Sequence, residues 1–175
     1  MGYTHYYHFK KNLTKANFHL ASSLVKNVIE EAIPKTFTSK WYTGGKKRKL
    51  KICGGDGSGN PVFANDHISF NGDRKLDIDH ETFWLDNTTE HQFCKTARKP
   101  YDIAVCMALL RLKDMYGSDF EYSSDGYCPM DTDDYRYLED EWKKAVRRYI
   151  YWCIENGIPT TLLKMKNLPK MCTKQ

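Results

Sequence analysis

Tyr101-Asp102-Ile103-Ala104-Val105-Cys106-Met107-Ala108-Leu109-Leu110-Arg111-Leu112-Lys113-Asp114-Met115 is the stretch that decides the fold. From Ile103 to Leu110 every residue is apolar, so nearly every face of a helix here is apolar. A helix of that kind is buried on most sides. Pro100 suits a first helical position. Gly117 suits a stop. The rest of the chain must therefore wrap around residues 101–115.

Working outward, Phe120 to Ser123 reads as a strand, followed by the turn Ser124-Asp125-Gly126. Asp131-Thr132-Asp133-Asp134 places acids where a helix N-terminus favours them. Leu138, Trp142, Ala145, Val146, Tyr149, Trp152 and Cys153 mark one face of that helix, which Gly157 and Pro159 end. On the other side, Tyr3 to Phe9 is an aromatic strand. Asn12 or Thr14 caps a helix whose apolar face is Phe18, Ala21, Leu24, Val25, Val28, Ile29 and Ala32, ending before Pro34. Residues 35–49 are polar and basic and read as a mobile loop or insertion. Leu50 to Cys53 reads as a short strand and Gly54 to Pro61 as a tight turn. Val62-Phe63, His67 to Phe70 and Glu81 to Leu85 make a meander, with a turn at Asn71-Gly72-Asp73.

The order is β-α-β-β-β-α-β-α. It predicts an α+β fold: an antiparallel-rich sheet with helices on one face, the nearest simple arrangement being a ferredoxin-like split βαβ. Residues 1–160 form a single domain in this reading, and 161–175 a basic C-terminal tail.

Composition narrows the function classes. The chain has 175 residues with 12 Tyr, 8 Phe and 4 Trp, and a formal net charge of +5. That is a globular profile with a mild bias toward anionic partners. No run approaches the roughly 20 apolar residues of a membrane span. Residues 1–11 lack an apolar leader core, which predicts a cytoplasmic protein. The cysteines form no CxxC pair and are expected to be reduced thiols. No metal and no cofactor is predicted.

Three segments can carry chemistry. Cys94 to Asp102 sets Lys95, Thr96, Arg98 and Lys99 just ahead of the helix N-terminus, whose free N–H groups attract anions. The blander alternative is a run of solvated cations. Strand alternation puts Tyr3, His5 and Tyr7 on one face and Thr4, Tyr6 and His8 on the other, and an exposed ring can stack on a nucleobase. His67-Ile68-Ser69-Phe70 and His80-Glu81-Thr82-Phe83 each hold His-x-Ser/Thr-aromatic. That pattern resembles the motif of two-histidine phosphoesterases, but here the histidines are only 13 residues apart (67 to 80). His5, His67 and His80 are the candidate proton-transfer groups. The acids Asp56, Asp66, Asp73, Asp77, Asp79, Glu81 and Asp86 fit turns better than a cation loop.

Several segments together resemble a group of small tailed-phage and bacterial proteins that open MGYTHYW. They are Gly2-Tyr3-Thr4-His5-Tyr6, Gly54-Gly55-Asp56-Gly57, Ile68-Ser69-Phe70-Asn71-Gly72, His80-Glu81 followed by Phe83, Phe93 to Asp102 (FCKTARKPYD) and Ser123-Ser124-Asp125-Gly126. The resemblance spans residues 2–126. This chain has Tyr7 where that group usually has Trp. The group carries no established catalytic residues. It implies a viral or mobile-element source, and hence an expected role: binding a small anionic nucleotide-like ligand through Tyr3, His5, Lys95, Thr96, Arg98 and Lys99. Such binding would sequester a nucleotide signal of host defence, and a homo-oligomer with a site shared between subunits is an accompanying expectation. The alternatives are a phosphoesterase or nuclease, and a protein- or nucleic-acid-interaction module using the basic segments.

Overall fold

The computed structural model describes residues 3–170 and is an α+β fold. The first strand, β1 (Thr4–Phe9), lies at its centre. Tyr3, His5, Tyr7 and Phe9 point inward and are buried, while Tyr6 faces out. β1 pairs antiparallel with β8 (Gln92–Lys95) on one side and with β9 (Phe120–Ser124) on the other. β8 and β9 therefore run in the same direction. The helix α3 (Asp102–Tyr116) joins them, with β1 inserted between.

That is one split βαβ unit. A ferredoxin-like fold needs a second such unit in the same sheet. Here the remaining strands build separate sheets. In one, β6 (His67–Gly72) pairs antiparallel with β4 (Ile52–Cys53), β5 (Val62–Phe63) and β7 (Phe83–Asp86). The sheets meet where Tyr7 stacks on Phe83 at 4.9 Å between centroids, and Phe83 stacks in turn on Phe70 of its own sheet at 4.6 Å.

Helix α3 is the core element, with Ala104 through Leu110 and Leu112 all buried. Against it pack α1 (Lys15–Asn27), the π-helical turn Val28–Ala32, and α4 (Asp140–Glu155). Thr14 caps α1 by accepting the Asn17 N–H at 3.2 Å. The far end of that helix would leave carbonyls bare, but Arg148 of α4 donates to Ala32 O at 2.7 Å. Trp142 of α4 stacks on Tyr122 of β9 at 5.3 Å.

Four sequence expectations are corrected. Residues 35–49 are not a structureless loop. They form a hairpin of β2 (Thr36–Thr38) and β3 (Lys47–Lys49) around the short helix α2 (Lys40–Thr43). Ser39 caps that helix, and Gly44 ends it at φ 58°. Residues 92–95 are a strand, not an approach to the helix. The acids 131–134 precede a 3-10 turn at Tyr135–Tyr137, and α4 starts only at Asp140. The segment after residue 160 is not a free tail. Thr161–Lys164 form a 3-10 turn, Lys166 bridges to Asp134, and Leu162, Met165 and Leu168 pack on the core. Residues 171–175 lie outside the described residues.

Candidate functional site

β-Sheet register sets the first cluster. His5 lies opposite Cys94 on β8 and Ser124 on β9. Residues directly opposite in a sheet share a face, so all three point toward α3 and α4. The N-terminal end of α3 contributes Asp102 and Cys106, about one helical turn apart and thus on one side. Thr96 follows β8.

His5 Nδ1 is 2.7 Å from Ser124 Oγ, and His5 Nε2 is 2.8 Å from Asp102 Oδ1. The Thr96 hydroxyl also donates to Asp102 Oδ1, and the Cys106 thiol to Oδ2 at 3.5 Å. Trp142 Nε1 donates to Ser124 Oγ at 3.2 Å. Ser124 Oγ can still either donate to Nδ1 or accept from it, so whatever holds Nε2 sets the ring tautomer. His5 is 0% exposed and Asp102 3%.

Burial alone would raise the Asp102 pKa. The His5 charge and the hydrogen bonds from His5, Thr96 and Cys106 outweigh burial and hold it below the ordinary carboxylate value. The Cys106 thiol is pushed well up, by burial first and then by Asp102. Burial also pushes Cys94 up to about 12. Cys53, Cys94, Cys106, Cys128 and Cys153 are all buried free thiols. Iodoacetamide is therefore expected to leave Cys94, Cys106, Cys128 and Cys153 unlabelled in native protein and to label all four in denaturant, by peptide mass spectrometry. Native labelling of Cys106 would contradict the closed cluster.

The six predicted ligand-binding residues do not converge on a guest. Tyr3, His5 and Thr96 meet inside the buried cluster. The Arg98 guanidinium lies over the Tyr3 ring at 4.3 Å, and it pairs with Glu141 and, at 3.6 Å, with Glu139. Lys99 Nζ is 2.9 Å from both Oδ1 and the carbonyl of Asp77. Lys95 is exposed on the outer side of β8. The helix entry is thus no phosphate cradle. Strand β8 alternates its side chains, Ala97 and Arg98 turn the chain at positive φ, and native carboxylates already hold Arg98 and Lys99.

The candidate proton-transfer histidines are also separated. His5 is sealed. His67 opens β6, stacked on Trp84 at 4.5 Å and 2.9 Å from Asp66. His80 is exposed beside the other end, its N–H on Asn71 Oδ1 at 3.1 Å. Positions 67 and 71 on one strand lie about 13 Å apart. The two hydroxyls do meet, beside Gly55, but inside the fold: Ser69 is buried, and Thr82 is spent donating to Gly55 O at 2.6 Å. The acids are spent on turns and pairs, for example Asp56 on Ser58 and Asp73 on the Lys75 N–H.

A different place collects free cations. A cleft of about 460 Å³ lies between the β2–β3 hairpin and the turn after β6. Arg48, Lys49 and Lys75 line it, together with the ring of Phe37. Asp77 is the single carboxylate on its wall, and Lys99 already neutralises it. Among the described residues, no carboxylate lies within salt-bridge distance of Arg48, Lys49 or Lys75. Lys49 also borders a neighbouring basic groove with Lys26, Lys35 and Lys51. The basic run 46–49 was visible in the sequence, but Lys75 and Phe37 reach it only through the fold.

No family model, curated protein or solved structure matches the chain. Among the described residues, no helix is long and apolar enough to cross a membrane.

Proposed function

We propose that this protein binds a small anionic, nucleotide-like ligand in the cleft beside the β2–β3 hairpin and holds it unconverted. The observation that carries this reading is charge. Three cations line one concave site, and its one acid is paired with Lys99. The volume of about 460 Å³ falls within the range of small-molecule sites. Arg48 offers a planar fork for phosphate, with lysines beside it as point charges. Phe37 stands opposite Arg48 in the hairpin register and gives an apolar wall for a base.

Holding without turnover fits a lining that has no histidine, serine or cysteine to move a proton or attack phosphorus. The resemblance to small phage proteins agrees with sequestration of a host nucleotide signal in the cytoplasm.

Isothermal titration with ATP, a cyclic dinucleotide and inorganic pyrophosphate tests the reading. The expected result is binding of at least one probe, weakened at least tenfold in Arg48→Ala/Lys75→Ala and weakened by added salt. The probe is expected to be recovered intact after denaturation. No binding across the panel, or equal binding by the double variant, overturns the reading. Cleaved probe would favour the phosphoesterase alternative. Binding only to long polynucleotides, with a steep salt slope, would favour the nucleic-acid module.

A further inference from the structure

We propose that the buried cluster on β1 and α3 is a structural metal site, in which His5, Asp102 and Cys106 hold a zinc-type divalent ion. Their ligand atoms all lie within 4.8 Å of one another. Cys106 Sγ is 3.9 Å from His5 Nε2 and 3.5 Å from Asp102 Oδ2, and Nε2 is 2.8 Å from Oδ1. Tetrahedral zinc with N, O and S ligands sets those atoms about 3.3–3.5 Å apart, so side-chain shifts of about an ångström bring all three onto one ion.

Charge supports the same assignment. A carboxylate and a thiolate carry two negative charges, and with a neutral imidazole they balance a divalent cation, which a closed interior requires. On binding, the Cys106 thiol proton leaves to solvent and the sulfur lone pair takes the metal. His5 then keeps its ring proton on Nδ1 and donates a hydrogen bond from it to Ser124 Oγ, which is already in place at 2.7 Å. Thr96 orients the carboxylate through Asp102 Oδ1. These are the outer partners that a metal-bound histidine and carboxylate use.

An independent feature points to a missing fourth partner. The Tyr3 hydroxyl is buried and has no hydrogen-bond partner among the described residues. Tyr3 is 1% exposed, and its ring stands edge-on to His5 at 5.1 Å. A buried polar atom without a partner is costly, and an ion here would give it one.

The site is closed, so its role is to lock β1 to α3 rather than to activate a substrate. It does not depend on the ligand-binding reading.

The test uses untagged full-length protein purified without chelator and measured by elemental mass spectrometry, plus cobalt titration followed by absorption. The expected result is one equivalent of zinc and a thiolate-to-cobalt charge-transfer band. In Cys106→Ala the band disappears and zinc affinity falls at least tenfold, whereas Cys94→Ala, at a buried cysteine outside the ligand set, keeps both. A wild-type protein that takes up neither zinc nor cobalt after reduction overturns the proposal and leaves a hydrogen-bonded network only. Equal zinc binding by Cys106→Ala also overturns it. Should Cys106→Ala fail to fold, the wild-type cobalt spectrum decides: no charge-transfer band, no site.

Discussion

In metal-free protein, replacing Asp102 by alanine is expected to cost about 3–5 kcal/mol of folding stability, because it strands three buried donors at once. The carboxylate is acceptor to His5 Nε2, to the Thr96 hydroxyl and to the Cys106 thiol. Alanine leaves all three facing each other with nothing to accept them. Each stranded buried donor costs about 1–3 kcal/mol. Water cannot easily replace the lost oxygen atoms, because His5 and Asp102 lie under the helix layer. Urea unfolding followed by tryptophan fluorescence reads the loss as a lower midpoint with an unchanged slope. Asparagine at the same place keeps one acceptor but adds an NH2 group among donors, so its loss is expected to fall between wild type and alanine.

The pH dependence has a fixed sign. The folded-state pKa of Asp102 lies below the ordinary carboxyl value of 3.8. A depressed carboxyl contributes stability that is fully present above the unfolded value and lost as pH falls through the folded one. The gap between wild type and Asp102→Ala is therefore expected to hold from neutral pH down to about 4 and to narrow only below that. A gap under 1 kcal/mol, or one that narrows between pH 8 and 6, would remove Asp102 from the centre of the cluster.

The elements that sequence reading found best are those with a strong period. Alternation along Tyr3 to Phe9 separated the buried from the exposed face of β1. The unbroken apolar run from Ile103 to Leu110 identified the core helix, and Thr14 was a named cap. Strand β8 escaped because it is only Gln92 to Lys95, and half of its side chains carry no burial signal until β1 is laid beside it. The basic hairpin escaped for a related reason. Lys47, Arg48 and Lys49 are all exposed, so no apolar alternation marks β3, and the pairing with Thr36 to Thr38 is what defines it.

The functional residues divide along the same line. Tyr3, His5 and Thr96 were recognised as notable, but the partners Asp102, Cys106 and Ser124 sit 97 to 119 positions away from His5. Local cation density at 95–99 gave a false lead. Charge counts along a sequence do not include the acids that the fold brings back, here Asp77, Glu139 and Glu141. The cleft cations Arg48, Lys49 and Lys75 differ because no such acid returns to them among the described residues.

Gly72→Ala is expected to be the second severe substitution, costing about 2–4 kcal/mol through a clash that only backbone movement relieves. Gly72 ends β6 and pairs with Ile52. A Cβ placed there would stand 2.1 Å from the Ile78 carbonyl oxygen and 2.6 Å from its carbon. Neither atom can rotate away, since both are main chain. The turn between them is pinned: Asp73 accepts the Lys75 N–H at 2.8 Å, and Arg74 N–H reaches Gly57 O at 2.9 Å. Asn71 bridges the same region by donating to Gly55 O and His80 O. The strain must therefore push residues 73–79 off the sheet. That segment carries Lys75 and Asp77, so the cleft should open as the turn moves. Gly59→Ala is the matched control. Its φ of 61° imposes a left-handed cost of about 1–2 kcal/mol, yet nothing lies within 4 Å of the added carbon. Thermal unfolding is expected to rank Gly72→Ala well below Gly59→Ala. Titration with ATP at a temperature where both remain folded is expected to show weaker binding in Gly72→Ala alone. Equal melting points would mean that the turn yields freely, and equal ATP binding would mean that Lys75 does not belong to the anion site.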